Sequence, residues 1–134
     1  MQEGKGRLQL LPDVYAVCRL DTNAPVPEWA TRGPFFSITR TSDELSVVCP
    51  EVLVPSRAKS ERGWKALAVE GPLDFSLTGV LSSLAALLAG NGISIFVLST
   101  YDTDYVLVKG GQMANAVQVL CAAGYDVDEG CEDK

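Results

Sequence analysis

The sequence predicts an α+β protein in which a ferredoxin-like unit of the order βαββαβ occurs in tandem, each copy forming an antiparallel sheet with helices on one face. Two of the three observations that predict this fold come from the second half of the chain. A strand, a polar corner and a second strand fill residues 93–108, and helical patterns lie on both sides of them. The third observation is a similar strand–corner–strand pattern at residues 35–48. The first half, residues 6–60, is therefore interpreted as a degenerate copy of the second, residues 61–134.

The second unit begins with a predicted strand at residues 64–70, followed by a loop. The helix predicted over residues 77–90 has one apolar face, formed by Leu77, Val80, Leu81, Leu84, Leu87 and Leu88. Asp74 or Ser76 can cap the first amides of this helix, and Gly92 suits the left-handed residue that follows its end.

The hairpin of the second unit has two apolar runs, at residues 93–98 and 105–108, around a polar corner at residues 99–104. The corner carries hydroxyl, phenol and carboxylate groups, and it lacks the Gly that many tight hairpins place at a positive φ. One interpretation is a solvated hairpin tip, and the other is a corner that binds a ligand.

A second helix is predicted after Gly110 and Gly111, and it ends at Gly124. Its inward residues are Met113, Ala116, Val117, Leu120 and Cys121. A short strand at residues 125–128 closes the unit, which gives a four-stranded antiparallel sheet under two helices.

The first copy is shortened where its helices should be. The aligned segments are residues 35–48 with residues 95–108, without a gap, and residues 14–20 with residues 64–70. Pro25 and Pro27 limit the first helix to about one turn, and Pro50 and Pro55 bracket the second.

Composition excludes several classes of function. The chain has 134 residues and is 47% hydrophobic, which is typical of a folded domain rather than a disordered chain. Its net charge of −6 argues against nucleic acid as a partner, since phosphate binding needs a positive surface. No apolar run reaches the roughly 18 residues of a membrane span, and residues 1–6 lack the apolar core of a signal peptide. We therefore expect a cytoplasmic protein, with the acidic tail at residues 126–134 favouring solubility.

Neither a metal, a cofactor nor an enzymatic activity is expected. The chain has no His, and its four Cys form no Cys-x-x-Cys pair. Cys18 and Cys121 occupy apolar periodic positions and are interpreted as small core residues, whereas Cys131 lies among carboxylates that disfavour a thiolate. Carboxylate pairs such as Asp102 with Asp104 remain as acid–base candidates, although turn caps are the favoured interpretation. No glycine-rich phosphate loop is present.

Three motifs carry a resemblance to a known family: VEGPLDFSLTGVL at residues 69–81, AGNGISI at residues 89–95 and STYDTDYVLV at residues 99–108. Together they resemble the ACT domain family, most of all the small tandem-ACT bacterial proteins related to the cytosolic arginine sensors of animals. The resemblance implies the ferredoxin-like fold predicted above. It also implies a regulatory domain that binds amino acids or other small metabolites at interfaces between paired domains.

Candidate site residues lie at two places. The backbone amides of Gly92, Ile93 and Ser94 suit a carboxylate, because a Gly allows close approach of a ligand. The loop at residues 73–76 is a further candidate for this role. The resemblance implies a pocket lined by Ser94, Ile95, Thr100, Tyr101 and Asp104. It makes Asp104 the charge partner, Thr100 a hydrogen-bond donor and Tyr101 an apolar wall with a polar tip.

The first copy differs at the corresponding corner. In the gapless alignment Arg40 stands where the second copy has Thr100. A second, equal site in the first copy is therefore in doubt.

Two classes of function follow. The chain is either a non-catalytic regulatory module that binds a small metabolite, most simply an amino acid, or an assembly and dimerisation module that has lost its ligand site. A homodimer is compatible with pairing of exposed sheet edges. The ligand and the regulated protein are not specified by the sequence.

Overall fold

The structure is a computed structural model that describes residues 6–70 and 80–128. Its strands are β1 (Gly6–Leu10), β2 (Tyr15–Leu20), β3 (Ser37–Arg40), β4 (Leu45–Pro50), β5 (Ser60–Val69), β6 (Ile95–Ser99), β7 (Asp104–Lys109) and β8 (Tyr125–Asp128). Its α-helices are α1 (Val80–Gly90) and α2 (Gly110–Ala122), and Glu28–Thr31 and Glu51–Leu53 are short 3-10 helices. The chain divides into an N-terminal unit, Asp13–Trp64, and a C-terminal unit, Met1–Pro12 with Lys65–Lys134, so the boundary falls within β5.

The N-terminal unit has the strand order of a ferredoxin-like fold with its helices almost removed. Its strands follow one another in the order β3-β4-β2-β5, and every pairing is antiparallel. The two 3-10 helices stand where the first and second helices of a βαββαβ unit belong. The short 3-10 helices confirm the prediction of a degenerate first copy. Proline at residues 25, 27, 50 and 55 prevents longer helices there.

The C-terminal unit has the expected two helices, but its sheet contains an extra strand. The order is β6-β7-β5-β1-β8. β1 is antiparallel to β5 and parallel to β8, so the expectation of a four-stranded, wholly antiparallel sheet is wrong. The strand also belongs to this unit rather than to the segment 6–60. Leu8 explains the position of β1. This residue pairs with Val69 of β5 and Val127 of β8, and its side chain is buried.

Charge reinforces this placement of β1. The guanidinium of Arg7 donates to Asp126 and to Asp128 at 2.7 Å each, and its Nε lies 3.6 Å from Glu70. The three carboxylates, Asp128 foremost, raise the pKa of Arg7. Arg7 therefore joins β1 to the carboxylates of β8, which would otherwise repel one another.

Helix α1 turns the predicted face to the core. Leu84 and Leu88 are 1% and 0% exposed, and Leu81 packs against the same cluster. The helix ends in a Schellman motif, because Gly92 N–H donates to Ala89 C=O and Ile93 N–H donates to Leu88 C=O, both at 3.0 Å. Gly92 has a φ of +75° as this motif requires. The predicted caps Asp74 and Ser76 and the loop at residues 73–76 lie outside the described residues.

Helix α2 buries Met113, Ala116, Val117 and Leu120, as predicted. Cys121 differs from the expectation of a small core thiol, since it is only partly buried and is disulfide-bonded. Cys18 is buried at 1% exposure, as expected. In the described part of the chain, no helix is long and apolar enough to cross a membrane.

The β3–β4 and β6–β7 hairpins have turns of the same kind, but the two turns align differently from the prediction. Thr41 N–H donates to Glu44 C=O at 2.9 Å, and Thr100 N–H donates to Thr103 C=O at 2.8 Å. In both turns the leading Thr hydroxyl accepts a backbone N–H three residues on. The structural counterpart of Thr100 is therefore Thr41 rather than Arg40. The gapless alignment is wrong by one residue at this turn, and such a shift exchanges the faces of a strand.

Candidate functional site

The segment after α1 forms a depression on the surface of the C-terminal unit. Gly92, Ile93, Ser94 and Ile95 line it together with Ala85 and Ala89. Its volume is about 510 Å³, enough for a small metabolite. Among the described residues other than its chain neighbours, no atom lies within 4 Å of a Cβ built on Gly92, so the backbone there is accessible to a ligand. The site residues predicted from the motif AGNGISI are thus brought together here.

The hydrogen bonds of this segment change the predicted chemistry. The amides of Gly92 and Ile93 already donate to carbonyls of α1, so they are not free to hold a carboxylate. Ser94 is exposed, and among the described residues neither its amide nor its hydroxyl has a hydrogen-bond partner. The polar contact that this depression offers is therefore centred on Ser94.

Sequence reasoning missed Ala85 and Ala89, the helical wall of the depression. They lie four residues apart on α1, and Ala89 is followed by Gly92 three residues later. Small residues at this spacing lie on one side of a helix and leave room beside it. That pattern was the available signal.

The corner at residues 100–103 is a compact turn. The Thr100 hydroxyl donates to Thr103 C=O at 3.1 Å and accepts the Thr103 N–H at 3.2 Å. Thr100 therefore uses its hydroxyl to stabilise the turn, in the manner of an ST-turn. Tyr101, at the tip, is 83% exposed. An exposed ring at this position does not wall a pocket within its own hairpin.

Asp104 lies at the first position of β7, where the Ser99 hydroxyl donates to its carboxylate. The neighbouring Thr103 hydroxyl donates to Val69 C=O and so joins the corner to the end of β5. Asp104 is half-buried, and its carboxylate remains available for a further hydrogen bond because a carboxylate has several acceptor sites.

The two predicted groups of site residues lie at opposite ends of one hairpin. Ile95 is paired with Val108 at one end, and Ser99 with Asp104 at the other. Four residue steps of a strand span about 13 Å. One amino acid therefore cannot contact both Ser94 and Asp104 of the same hairpin, so a single hairpin does not form the pocket that the resemblance implies.

The thiols of the N-terminal unit are unreactive in character. Burial, together with the neighbouring Cys18, raises the pKa of Cys49 from 9.0 to about 11. Burial also raises the pKa of Cys18. Neutral, buried thiols of this kind are poor nucleophiles and poor metal ligands. Within residues 6–70 and 80–128, no group of His, Cys, Asp and Glu is placed to hold a metal ion.

Comparison with known proteins identifies relatives of both units. A family model for the ACT domain matches residues 59–122, and a second model, of an N-terminal domain, matches residues 13–57. The human protein CASTOR3P is 36% identical over 91 residues, which is 58% of this chain and 56% of that protein. The cytosolic arginine sensor for mTORC1 subunit 1 of Bos taurus is 30% identical over 108 residues, or 72% of this chain. This chain spans only 32% of the length of that sensor.

Solved structures agree with this assignment. Protein Atu0741 from Agrobacterium tumefaciens has a TM-score of 0.86 and 38% identity, over 91% of both chains. The aspartate kinase of Clostridium acetobutylicum, described as an allosteric enzyme, has a TM-score of 0.62 at 13% identity. The match covers 84% of this chain and 33% of that enzyme, and it shows a shared fold. From its fold, its family match and its relatives, this chain belongs to the ACT domain family.

Proposed function

We propose that this chain is a non-catalytic regulatory module that binds an amino acid in the depression at Gly92–Ile95, at an interface between ACT units. The observation that carries the proposal is the depression itself, which lies on the motif that resembles the amino-acid-binding ACT proteins. Ser94 supplies a hydroxyl and an amide to the ligand, and Ala85 and Ala89 supply an apolar wall.

The end of α1 also suits the ammonium group of an amino acid. The carbonyl end of a helix carries a partial negative charge, which attracts cations. The depression lies at this end of α1, beside the residues that follow Gly90. An ammonium near the helix end and a carboxylate at Ser94 would orient a zwitterion along the depression.

An interface between ACT units is supported by the edge of the sheet. β6 is paired only with β7 among the described strands, and its residues Ile95–Leu98 are half-buried and apolar. An apolar edge strand favours pairing with another strand. A second copy of this chain paired on β6 would bring its own residues beside the Gly92–Ile95 depression. In such a dimer Thr100, Tyr101 and Asp104 of one copy could contact a ligand held by the other.

In this function the protein acts in the cytoplasm, and its effect depends on a regulated protein. The relatives named cytosolic arginine sensors support both statements. The alternative is an assembly module, for which the apolar edge strand β6 alone would suffice. The two functions differ in whether the chain binds an amino acid at all.

The test is a thermal-shift screen against the twenty amino acids, followed by calorimetry of any that bind. A ligand at about 100 times its Kd stabilises the folded state by roughly 2.7 kcal/mol. Ala89→Leu should fill the depression and abolish that shift. Ala86→Leu is the matched control, because Ala86 is exposed on the same helix and does not line the depression.

A second pair of variants examines the far end of the hairpin. Asp104→Ala should weaken binding if a second copy contributes its corner, whereas Asp102→Ala removes an exposed carboxylate of the same turn as a control. Absence of binding by every amino acid would refute the regulatory proposal. A concentration-dependent dimer in sedimentation equilibrium would then favour the assembly module.

A further inference from the structure

A second concave site lies in the N-terminal unit. It is a pocket of about 500 Å³ on the surface of the unit. Leu20, Trp29 and Ala58 form its apolar surface, and each of them packs against the buried cluster of the unit. The pocket is large enough for a metabolite that carries an aromatic ring system.

The pocket owes its existence to the shortened helices. One wall comes from the segment between β2 and β3, and the other from residues 55–59, between the second 3-10 helix and β5. In the C-terminal unit the equivalent connections are α1, of 11 residues, and α2, of 13 residues. The N-terminal unit has only 4 and 3 residues of 3-10 helix there, so part of its apolar surface is left uncovered.

The charged residues that line the pocket are basic. Arg19, Arg57 and Lys59 line it, and among the described residues no Asp or Glu does so. Three of the chain's 11 basic residues thus gather at one pocket of a protein whose net charge is −6. In the part of the chain that the structure describes, the side chains of Arg57 and Lys59 have no hydrogen bond or ion pair.

Two of these basic residues, Arg19 and Lys59, have backbones that lie opposite each other. Arg19 N–H donates to Lys59 C=O at 3.0 Å, which continues the β2–β5 pairing of Cys18 with Ser60. Like charges at opposite positions of neighbouring strands are destabilising. The Arg19 guanidinium donates to Asp43 C=O at 3.2 Å, so Arg57 and Lys59 are the cations of the pocket that remain without a hydrogen bond among the described residues.

The walls are held in place without a ligand. The Arg40 guanidinium donates to Ala24 C=O at 2.9 Å and also to Thr22 C=O, which fixes the first wall. Arg62 donates to Pro55 C=O at 2.9 Å, and Ala58 N–H donates to the same oxygen at 3.1 Å, which fixes the second. A pocket that is ordered in advance loses less conformational entropy when it binds.

We propose that this pocket binds a small organic anion with a planar apolar body, whose carboxylate or phosphate contacts Arg57 and Lys59 and whose ring packs on Trp29. Charge-assisted hydrogen bonds from the two cations would hold the anionic group. The indole and its apolar neighbours would bury the ring. The site lies wholly within the N-terminal unit, so it is independent of the amino-acid site proposed in the C-terminal unit.

The test is NMR titration of the ¹⁵N-labelled full chain with four probes. 1-Naphthyl phosphate and 1-naphthoate carry both the ring and an anion, 1-naphthol carries the ring alone, and inorganic phosphate carries the anion alone. We expect both ring-bearing anions to shift the Trp29 indole signal and the amides of Ala24, Ala58 and Lys59 in a saturable way. If 1-naphthyl phosphate binds more tightly than 1-naphthoate, the pocket prefers a phosphate. The opposite order indicates a carboxylate ligand.

Variants separate the proposed contacts from general electrostatic attraction. The double variant Arg57→Gln/Lys59→Gln should weaken binding of the ring-bearing anions about tenfold or more, since hydrogen bonds to charged groups are lost. Lys65→Gln/Lys109→Gln removes the same charge outside the pocket and should leave binding unchanged. The thermal unfolding midpoint of each variant checks that it is folded.

Three outcomes would overturn the proposal. One is the absence of saturable shifts at millimolar concentrations of both ring-bearing anions. Another is equal weakening of binding in the two double variants. The third is binding of inorganic phosphate as tightly as 1-naphthyl phosphate, because the apolar surface would then have no role.

Discussion

Gly33 and Gly63 offer a test of the N-terminal unit in which two substitutions differ in one physical factor. Both residues lie in this unit and have similar positive φ angles, +88° and +83°. A Cβ at Gly63 would meet no atom within 4 Å in the part of the chain that the structure describes, its two chain neighbours aside. A Cβ at Gly33 would lie 2.9 Å from Pro50 Cγ and 3.3 Å from Pro50 Cδ, closer than the roughly 3.5–4.0 Å of a favourable carbon contact.

The expected magnitudes follow from these contacts. A left-handed conformation costs an L-residue about 1–2 kcal/mol, and the restricted unfolded chain offsets roughly 0.4–1 kcal/mol of it. Gly63→Ala should therefore lower the free energy of unfolding by about 1 kcal/mol. Gly33→Ala adds overpacking against a buried proline ring, which costs about 1–3 kcal/mol more.

The assay is urea unfolding followed by tryptophan fluorescence. Both tryptophans, Trp29 and Trp64, lie in the N-terminal unit, so the signal reports on the unit that carries the substitutions. Circular dichroism supplies an independent probe of the same transition. If the two variants unfold within about 0.5 kcal/mol of each other, the close approach of Gly33 to Pro50 is refuted.

Three further predictions concern the core, the thiols and the added strand. Leu84→Ala should lower the free energy of unfolding by about 2–5 kcal/mol in a denaturant titration, because it leaves a cavity at a fully buried position. Ser83→Ala, on the exposed side of α1, should change that free energy by less than about 0.5 kcal/mol. The raised pKa of Cys49 favours the folded state at and below pH 9, and this contribution should be lost as the pH rises from 9.0 to about 11. The unfolding free energy of wild type should therefore fall more steeply over that range than that of Cys49→Ala. Arg7→Gln should accelerate hydrogen exchange at the amides of β8, and the difference from wild type should shrink at high salt, because the lost contacts are exposed ion pairs. Equal exchange rates in the variant and wild type would mean that Arg7 does not hold β1 to β8.

The sequence predicts the fold where periodicity and turn chemistry agree. The phase of α1 follows from the spacing of Leu84 and Leu88, and its end follows from Gly92. The position of β1 does not follow, because Gly6–Leu10 is short and its partners Val69 and Val127 are distant in the chain. Such pairing depends on tertiary register, which local patterns do not encode.

The site is predicted only in part for a similar reason. The motif at Gly92–Ile95 does mark a depression, but sequence alone does not reveal that the amides of Gly92 and Ile93 complete the end of α1. The resemblance likewise implies that the Thr100 hydroxyl donates to a ligand, whereas in the structure this hydroxyl stabilises its own turn. In both cases a local hydrogen bond competes with the function inferred from residue type.

NMR titration of the labelled chain with the best ligand of the thermal screen determines whether an amino acid binds beside Ser94. We expect saturable shifts at the amides of Ala89, Ser94 and Ile95, which line the depression, and the loss of these shifts in Ala89→Leu. Shifts confined to other surfaces, or unchanged shifts at Ser94 in Ala89→Leu, would contradict it.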